Sequence, residues 1–110
     1  MALTYHATPR TYFDSLDAGE PYRPAEFGSD GFIHCTDGPD RLVDVLNEFY
    51  ADRSGDWIAL VIDTDHLTSP VQYEDPNRVF PHVYGPINRD AIVDVRPIAR
   101  DAGGRFAAVA

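Results

Sequence analysis

The segment Gly31-Phe32-Ile33-His34-Cys35-Thr36-Asp37-Gly38-Pro39-Asp40 joins an apolar strand to a helix and sets an imidazole, a thiol and a hydroxyl at the junction. Phe32 and Ile33 are strand formers. Asp37 and Gly38 supply a turn, and Pro39 suits the first helical position, where its missing N–H leaves no bond unmade. Side chains alternate across a strand, so Phe32, His34 and Thr36 are expected on one face and Ile33 with Cys35 on the other. His34 and Cys35 therefore do not form a couple. No base shares the predicted face of the thiol, which reads as a small buried hydrophobe.

Downstream, Leu42, Val43, Leu46, Phe49 and Tyr50 recur at spacings of three and four, which predicts an amphipathic helix from about Pro39 to Tyr50. Ser54-Gly55-Asp56 breaks it. Trp57-Ile58-Ala59-Leu60-Val61-Ile62-Asp63 is a nearly continuous apolar run, suited to a central strand buried on both faces. Asp65-His66-Leu67 reads as a turn, and Val71-Gln72-Tyr73-Glu74 as a short alternating strand bounded by Pro70 and Pro76. From Val79 to Ile87 the chain is extended where Pro81 and Pro86 push the preceding residue out of the helical region. Asn88-Arg89-Asp90-Ala91 makes a polar turn, Ile92 to Arg96 a last strand, and the tail from about Asp101, with Gly103-Gly104, is expected to be loose.

Upstream, a short strand from about Leu3 leads into a helix with Thr8 as N-cap and Pro9 at the first position. Tyr12, Phe13 and Leu16 supply its apolar stripe, and it should stop near Gly19. Glu20 to Gly28 carries two prolines and little periodicity, the pattern of an ordered surface loop. Two early helices followed by strands, without regular strand–helix alternation, predict a single α+β domain over residues 1–110.

Composition bounds the function. At 110 residues and 44% hydrophobic, the chain can build one core, hiding roughly 65% of its unfolded surface. No apolar run approaches the ~20 residues of a membrane helix. The first residues carry neither a basic segment nor an apolar signal core, so a cytoplasmic location is expected. A lone cysteine cannot form an internal disulfide and fits a reducing compartment. The nine basic residues, all arginine, face eighteen acidic ones, for a formal charge of −9. Such a surface repels polyphosphate backbones and argues against general nucleic-acid binding. The expected partner is a small molecule.

His6 and His34 each end an apolar strand beside a hydroxyl and a proline-started helix, which makes them candidates for a polar pocket over the strand ends. Phe80, His82 and Tyr84 share one face if their segment is extended. His66, in an Asp-rich turn, reads as solvated. Glu74 is either a solvated carboxylate beside Asp75 or a strand-end group that stabilises a cationic transition state or takes a proton. A zinc site from His6, His34 and His82 is compatible with the residue types but not demanded by their spacing. Neither a glycine-rich phosphate loop, a zinc-protease helix nor a paired-cysteine motif is present.

Three blocks, Tyr5-His6-Ala7-Thr8, Gly31-Phe32-Ile33-His34-Cys35-Thr36 and Phe80-Pro81-His82-Val83-Tyr84-Gly85-Pro86, resemble in order and spacing the small bacterial family called domain of unknown function 952. Thr36 stands where that family more often has serine, and Phe13 where it often has tryptophan. The resemblance implies an ADP-ribosyltransferase-like fold, a compact pair of small packed sheets with a cleft for NAD, in a layout similar to the RNA 2′-phosphotransferase branch. It also implies that His6 and Thr8 meet the nicotinamide-side ribose, that His34 and Thr36 line the same cleft, that Tyr84 or Tyr5 stacks on the nicotinamide, and that Glu74 stabilises oxocarbenium charge. The residues expected to carry catalysis are then His34, Glu74 and His82, with His6, Thr8, Thr36 and Tyr84 holding the ligand. Two functions follow: a ribosyl transferase or hydrolase using NAD or a related nucleotide, or a non-catalytic module that binds a nucleotide, sugar or metabolite in the same pocket.

Overall fold

The structure, a computed structural model, describes residues 2–110. Its organising element is β3 (Trp57–Asp63), whose seven residues are all buried. Alternation sends Ile58, Leu60 and Ile62 into one core cluster, with Tyr22, Ile33, Cys35, Val83 and Ile87. Trp57 and Ala59 join a second cluster, with Leu42, Val43, Leu46, Ile98 and Phe106. One uninterrupted apolar strand thus divides two cores, as the run of β-branched and aromatic residues requires.

Around it lies an antiparallel sheet in the order β1-β3-β6-β7, where β1 is Leu3–Pro9, β6 is Ile92–Arg100 and β7 is Phe106–Val109. A second antiparallel sheet has the order β2-β5-β4, from β2 (Ile33–His34), β4 (Val71–Tyr73) and β5 (Pro81–Val83). The helices are α1 (Arg10–Ser15), α2 (Phe27–Asp30) and α3 (Pro39–Phe49). The α+β class and the pair of small sheets match the expectation. No helix among the described residues is long and apolar enough to cross a membrane.

The 33–37 segment stitches the sheets together. On one edge, Cys35 N–H donates to Pro81 O at 3.0 Å and Asp37 N–H to Val79 O at 2.8 Å. On the other, Thr36 and Tyr5 exchange backbone bonds of 2.8 and 2.9 Å. Two glycines bracket it. Gly31 closes α2 at φ 78° and Gly38 precedes α3 at φ 110°, conformations that a side chain would strain. Pro39 then takes the first turn of α3, as expected.

Several expectations need correction. Thr8 is not a helix cap: β1 continues through Pro9, whose partner is Trp57, and Thr8 is buried opposite Ile58. The gain of two further strand pairings against β3 outweighs a cap. The expected 20–28 loop holds through Glu26 and ends two residues early, where the short helix α2 begins at Phe27. The tail is not loose. Asn47 on α3 offers its side-chain amide to both backbone groups of Phe106, donating to O at 2.8 Å and accepting from N at 2.9 Å. With the Phe106 ring only 2% exposed, residues 106–109 are tied down as β7 beside β6.

Candidate functional site

A cleft of about 710 Å³ opens where β1, the 32–36 segment, α3 and the 75–82 loop approach one another. His6 and Thr8 reach it from β1, and His34 and Thr36 from the stitching segment. Leu42, Leu46 and Phe49 of α3 form an apolar wall, and Asp75, Phe80 and His82 complete the opposite side. Its volume falls in the range usual for small-molecule sites. The three histidine blocks, distant in sequence, therefore meet at one cavity.

His6 is the buried member, 7% exposed. Its Nδ1 lies 2.7 Å from the His34 carbonyl oxygen and its Nε2 2.9 Å from the Tyr22 hydroxyl. A carbonyl only accepts, so Nδ1 carries the proton, and Nε2 must accept from Tyr22. Burial lowers the His6 pKa to about 4 against the partial support of the His34 carbonyl, so the ring is neutral near pH 7. Burial also pushes the Tyr22 phenol up, with the Thr8 hydroxyl partly offsetting it, and Tyr22 stays a donor. Both nitrogens of His6 are thus engaged. Through Nδ1 it holds the backbone at His34.

His82 is arranged differently. It sits directly across from His34 in the β2–β5 ladder and beside Gln72 of β4. Its Nδ1 donates to Glu74 Oε1 at 2.9 Å, and the Tyr84 hydroxyl donates to the same oxygen. Those two donors, Tyr84 foremost, hold the Glu74 carboxyl below the usual carboxylate range, while Glu74 raises the Tyr84 phenol. Because the ionised carboxylate can only accept, neutral His82 carries its proton on Nδ1 and keeps a lone pair on Nε2. That nitrogen has no partner among the described residues, on a ring that lines the cleft. Phe32 stacks on the imidazole at 4.1 Å and 22°, and the His34 ring stands edge-on at 5.3 Å. The sandwich fixes the ring plane, a contact of about 0.5–1.5 kcal/mol. The result is an oriented imidazole with one bonded and one unbonded nitrogen.

Of the seven expected site residues, His6, Thr8, His34, Thr36 and His82 line the cavity. Glu74 and Tyr84 stand outside its lining and reach it through His82. Tyr84 donates its hydroxyl to Glu74, and its ring, partly exposed, lies 5.4 Å from that of Phe32. The expected face of Phe32, His34 and Thr36 divides at its end. His34 is exposed, whereas Thr36 is 4% exposed and bridged to Tyr5, because the chain crosses there from one sheet to the other. Cys35 is buried in the core, where desolvation pushes its thiol up. Among the described residues no three His, Cys, Asp or Glu side chains are grouped to hold a metal ion.

Sequence reasoning missed Tyr22, Phe32's stacking role, and the acid residues of the cleft. Glu26, Asp30, Glu48 and Asp75 all line it, with no arginine among the described lining residues. Asp75 accepts Val79 N–H at 2.9 Å and Phe80 N–H at 3.1 Å, which lowers its pKa and shapes the loop that delivers Phe80 and His82. The Asp-Pro-Asn turn was the available signal for that loop.

A family model described as "Protein of unknown function (DUF952)" matches residues 7–95. No curated protein matches the chain. Among solved structures, the crystal structure of protein CC0527 from Caulobacter crescentus superposes with a TM-score of 0.80 at 21% identity, over 96% of this chain and 94% of that one. The solution NMR structure of the same protein gives 0.71 at 22% identity, over 94% and 90%. At these identities the likeness is one of fold.

Proposed function

The chain belongs to the family of proteins of unknown function designated DUF952, and we propose that it is an ADP-ribosyltransferase-like enzyme that cleaves the ribosyl bond of NAD or a related nucleotide at this cleft. The observation that carries the enzyme reading is the Tyr84–Glu74–His82 arrangement, which leaves one imidazole nitrogen free on a ring lining the cavity. Scission of the C1′–N bond sends its electron pair to the departing base and leaves positive charge on the ribosyl group. Water, or an acceptor hydroxyl, adds to C1′ and gives its proton to His82 Nε2. His34, exposed beside His82, meets the ligand, and Glu74 positions His82 rather than touching substrate. Thr8 and Thr36 supply hydroxyls at the cleft.

The test is consumption of NAD followed by chromatography. Turnover above the uncatalysed background, reduced about 10²-fold or more in His82→Ala, supports the reading. Glu74→Gln should lower turnover less and disturb the Nδ1-protonated tautomer of His82, read from imidazole nitrogen shifts. Identical turnover in wild type and His82→Ala would remove the catalytic role. A non-catalytic binding module is the second reading, favoured by the lack of any arginine in the lining to receive a diphosphate. It predicts recovery of an unaltered ligand by native mass spectrometry.

A further inference from the structure

We propose that a second cavity adjoining the cleft is a phosphate subsite, in which the Arg53 guanidinium receives the phosphate of a nucleotide whose ribosyl end lies at His82. This rests on the reading of the cleft as a nucleotide site. Among the described residues no arginine lines the cleft itself, so a cation to hold a phosphate has to stand beside it. The second cavity, of about 330 Å³, meets the cleft along Thr8, Pro9 and Glu26, which line both. Arg53, Ser54 and Thr11 are part of its remaining wall.

Arg53 links the two spaces. Its guanidinium carbon stands 5.8 Å from the ring centre of Tyr50 and 5.5 Å from that of Trp57, and both rings line the cleft. The aromatic faces attract the flat cation and leave its N–H edge unspent. Among the described residues the guanidinium makes no ion pair, not even with Glu26, the one acid in the lining of the second cavity.

The backbone that carries it is fastened. Arg53 N–H donates to Tyr50 O at 2.9 Å, and Arg10 N–H to Asp56 O at 2.8 Å. Arg100 donates to Arg53 O at 2.7 Å and to Gly55 O at 3.1 Å. A braced loop thus presents a guanidinium fork, the geometry that matches phosphate oxygens bidentately. The hydroxyls of Thr11 and Ser54 on the same wall add donors. On a chain of net charge −9, a local cation beside the cleft is what offsets the repulsion of an anionic ligand.

Nicotinamide mononucleotide and nicotinamide riboside differ by one phosphate and separate this subsite from the cleft. Trp57, the only tryptophan of the chain and the residue under Arg53, reports binding through its fluorescence and its single indole N–H resonance. The mononucleotide should bind about 10-fold more tightly than the riboside. Arg53→Gln, at an exposed position, should remove that preference. Glu26→Gln should tighten the mononucleotide roughly 2- to 3-fold and leave the riboside as it was. Equal affinity for the two in the wild type, a preference that survives Arg53→Gln, or silence from both at about 10 mM overturns the proposal. His82-dependent consumption of NAD is measured separately. Turnover without the phosphate preference removes the subsite alone, and the preference without turnover keeps the subsite and removes the catalytic reading.

Discussion

On β1, His6 is 7% exposed and has both ring nitrogens engaged, one on the His34 carbonyl and one on the Tyr22 hydroxyl. On β5, His82 is only partly covered and engages one nitrogen, on Glu74, leaving the other without a partner. Both rings line the same cavity. The difference teaches that position in a cleft does not by itself make a histidine reactive. A ring saturated from both sides is a strut, and a ring held from one side only keeps a nitrogen available for proton transfer.

The strongest way to break that comparison is to delete each ring. His6→Ala leaves the Tyr22 hydroxyl and the His34 carbonyl without their partner, at about 1–3 kcal/mol for each buried group. We therefore expect a loss near 3 kcal/mol in urea unfolding. Equal losses for His6→Ala and His82→Ala would erase the distinction. The same contrast has a pH signature. With the folded pKa of His6 at about 4 against 6.5, the unfolded chain takes up a proton between those values that the folded chain does not. Stability is therefore complete above about pH 6.5 and falls as the pH drops to about 4, by roughly 3 kcal/mol from this group. His6→Phe should lack that component, measured as the difference from wild type at each pH.

Tyr22→Phe tests the strut from its other end. It removes the donor to Nε2 and should cost about 1–2 kcal/mol, with NAD consumption per folded molecule unchanged. His82→Ala gives up the Phe32 stacking and the bond to Glu74 and should cost about 1–2 kcal/mol, with turnover reduced about 10²-fold or more. The smallest effect is expected at Trp57→Phe. The indole N–H is buried without a partner, so no hydrogen bond is lost, and the change should stay within about 1 kcal/mol. A larger loss would mean that packing against Tyr50 and Phe106, not the polar atom, governs that position.

Much of the fold could be read from short-range pattern. The 57–63 run and the spacing of Leu42, Val43, Leu46, Phe49 and Tyr50 lead directly to β3 and α3, because burial on two faces and burial on one helical stripe each impose their own period. Gly38-Pro39 marks the start of α3 by backbone chemistry alone. The site was legible as a set of residues: the histidine blocks did meet. Their roles were not. Glu74 read either as a solvated carboxylate or as a strand-end group facing substrate, and the structure binds it to His82 and Tyr84, eight and ten residues ahead.

The physical reason lies in the range of the forces. Propensity, turn chemistry and hydrophobic period act within one element, and amino-acid order determines them whatever the rest of the chain does. Which nitrogen of a histidine stays free depends on groups brought up from elsewhere. The tertiary structure alone set Tyr22 against His6, sixteen residues away, and the His34 carbonyl on its opposite side, twenty-eight away. It also carried the chain across at Thr36 from one sheet to the other, dividing a face that strand alternation had made continuous.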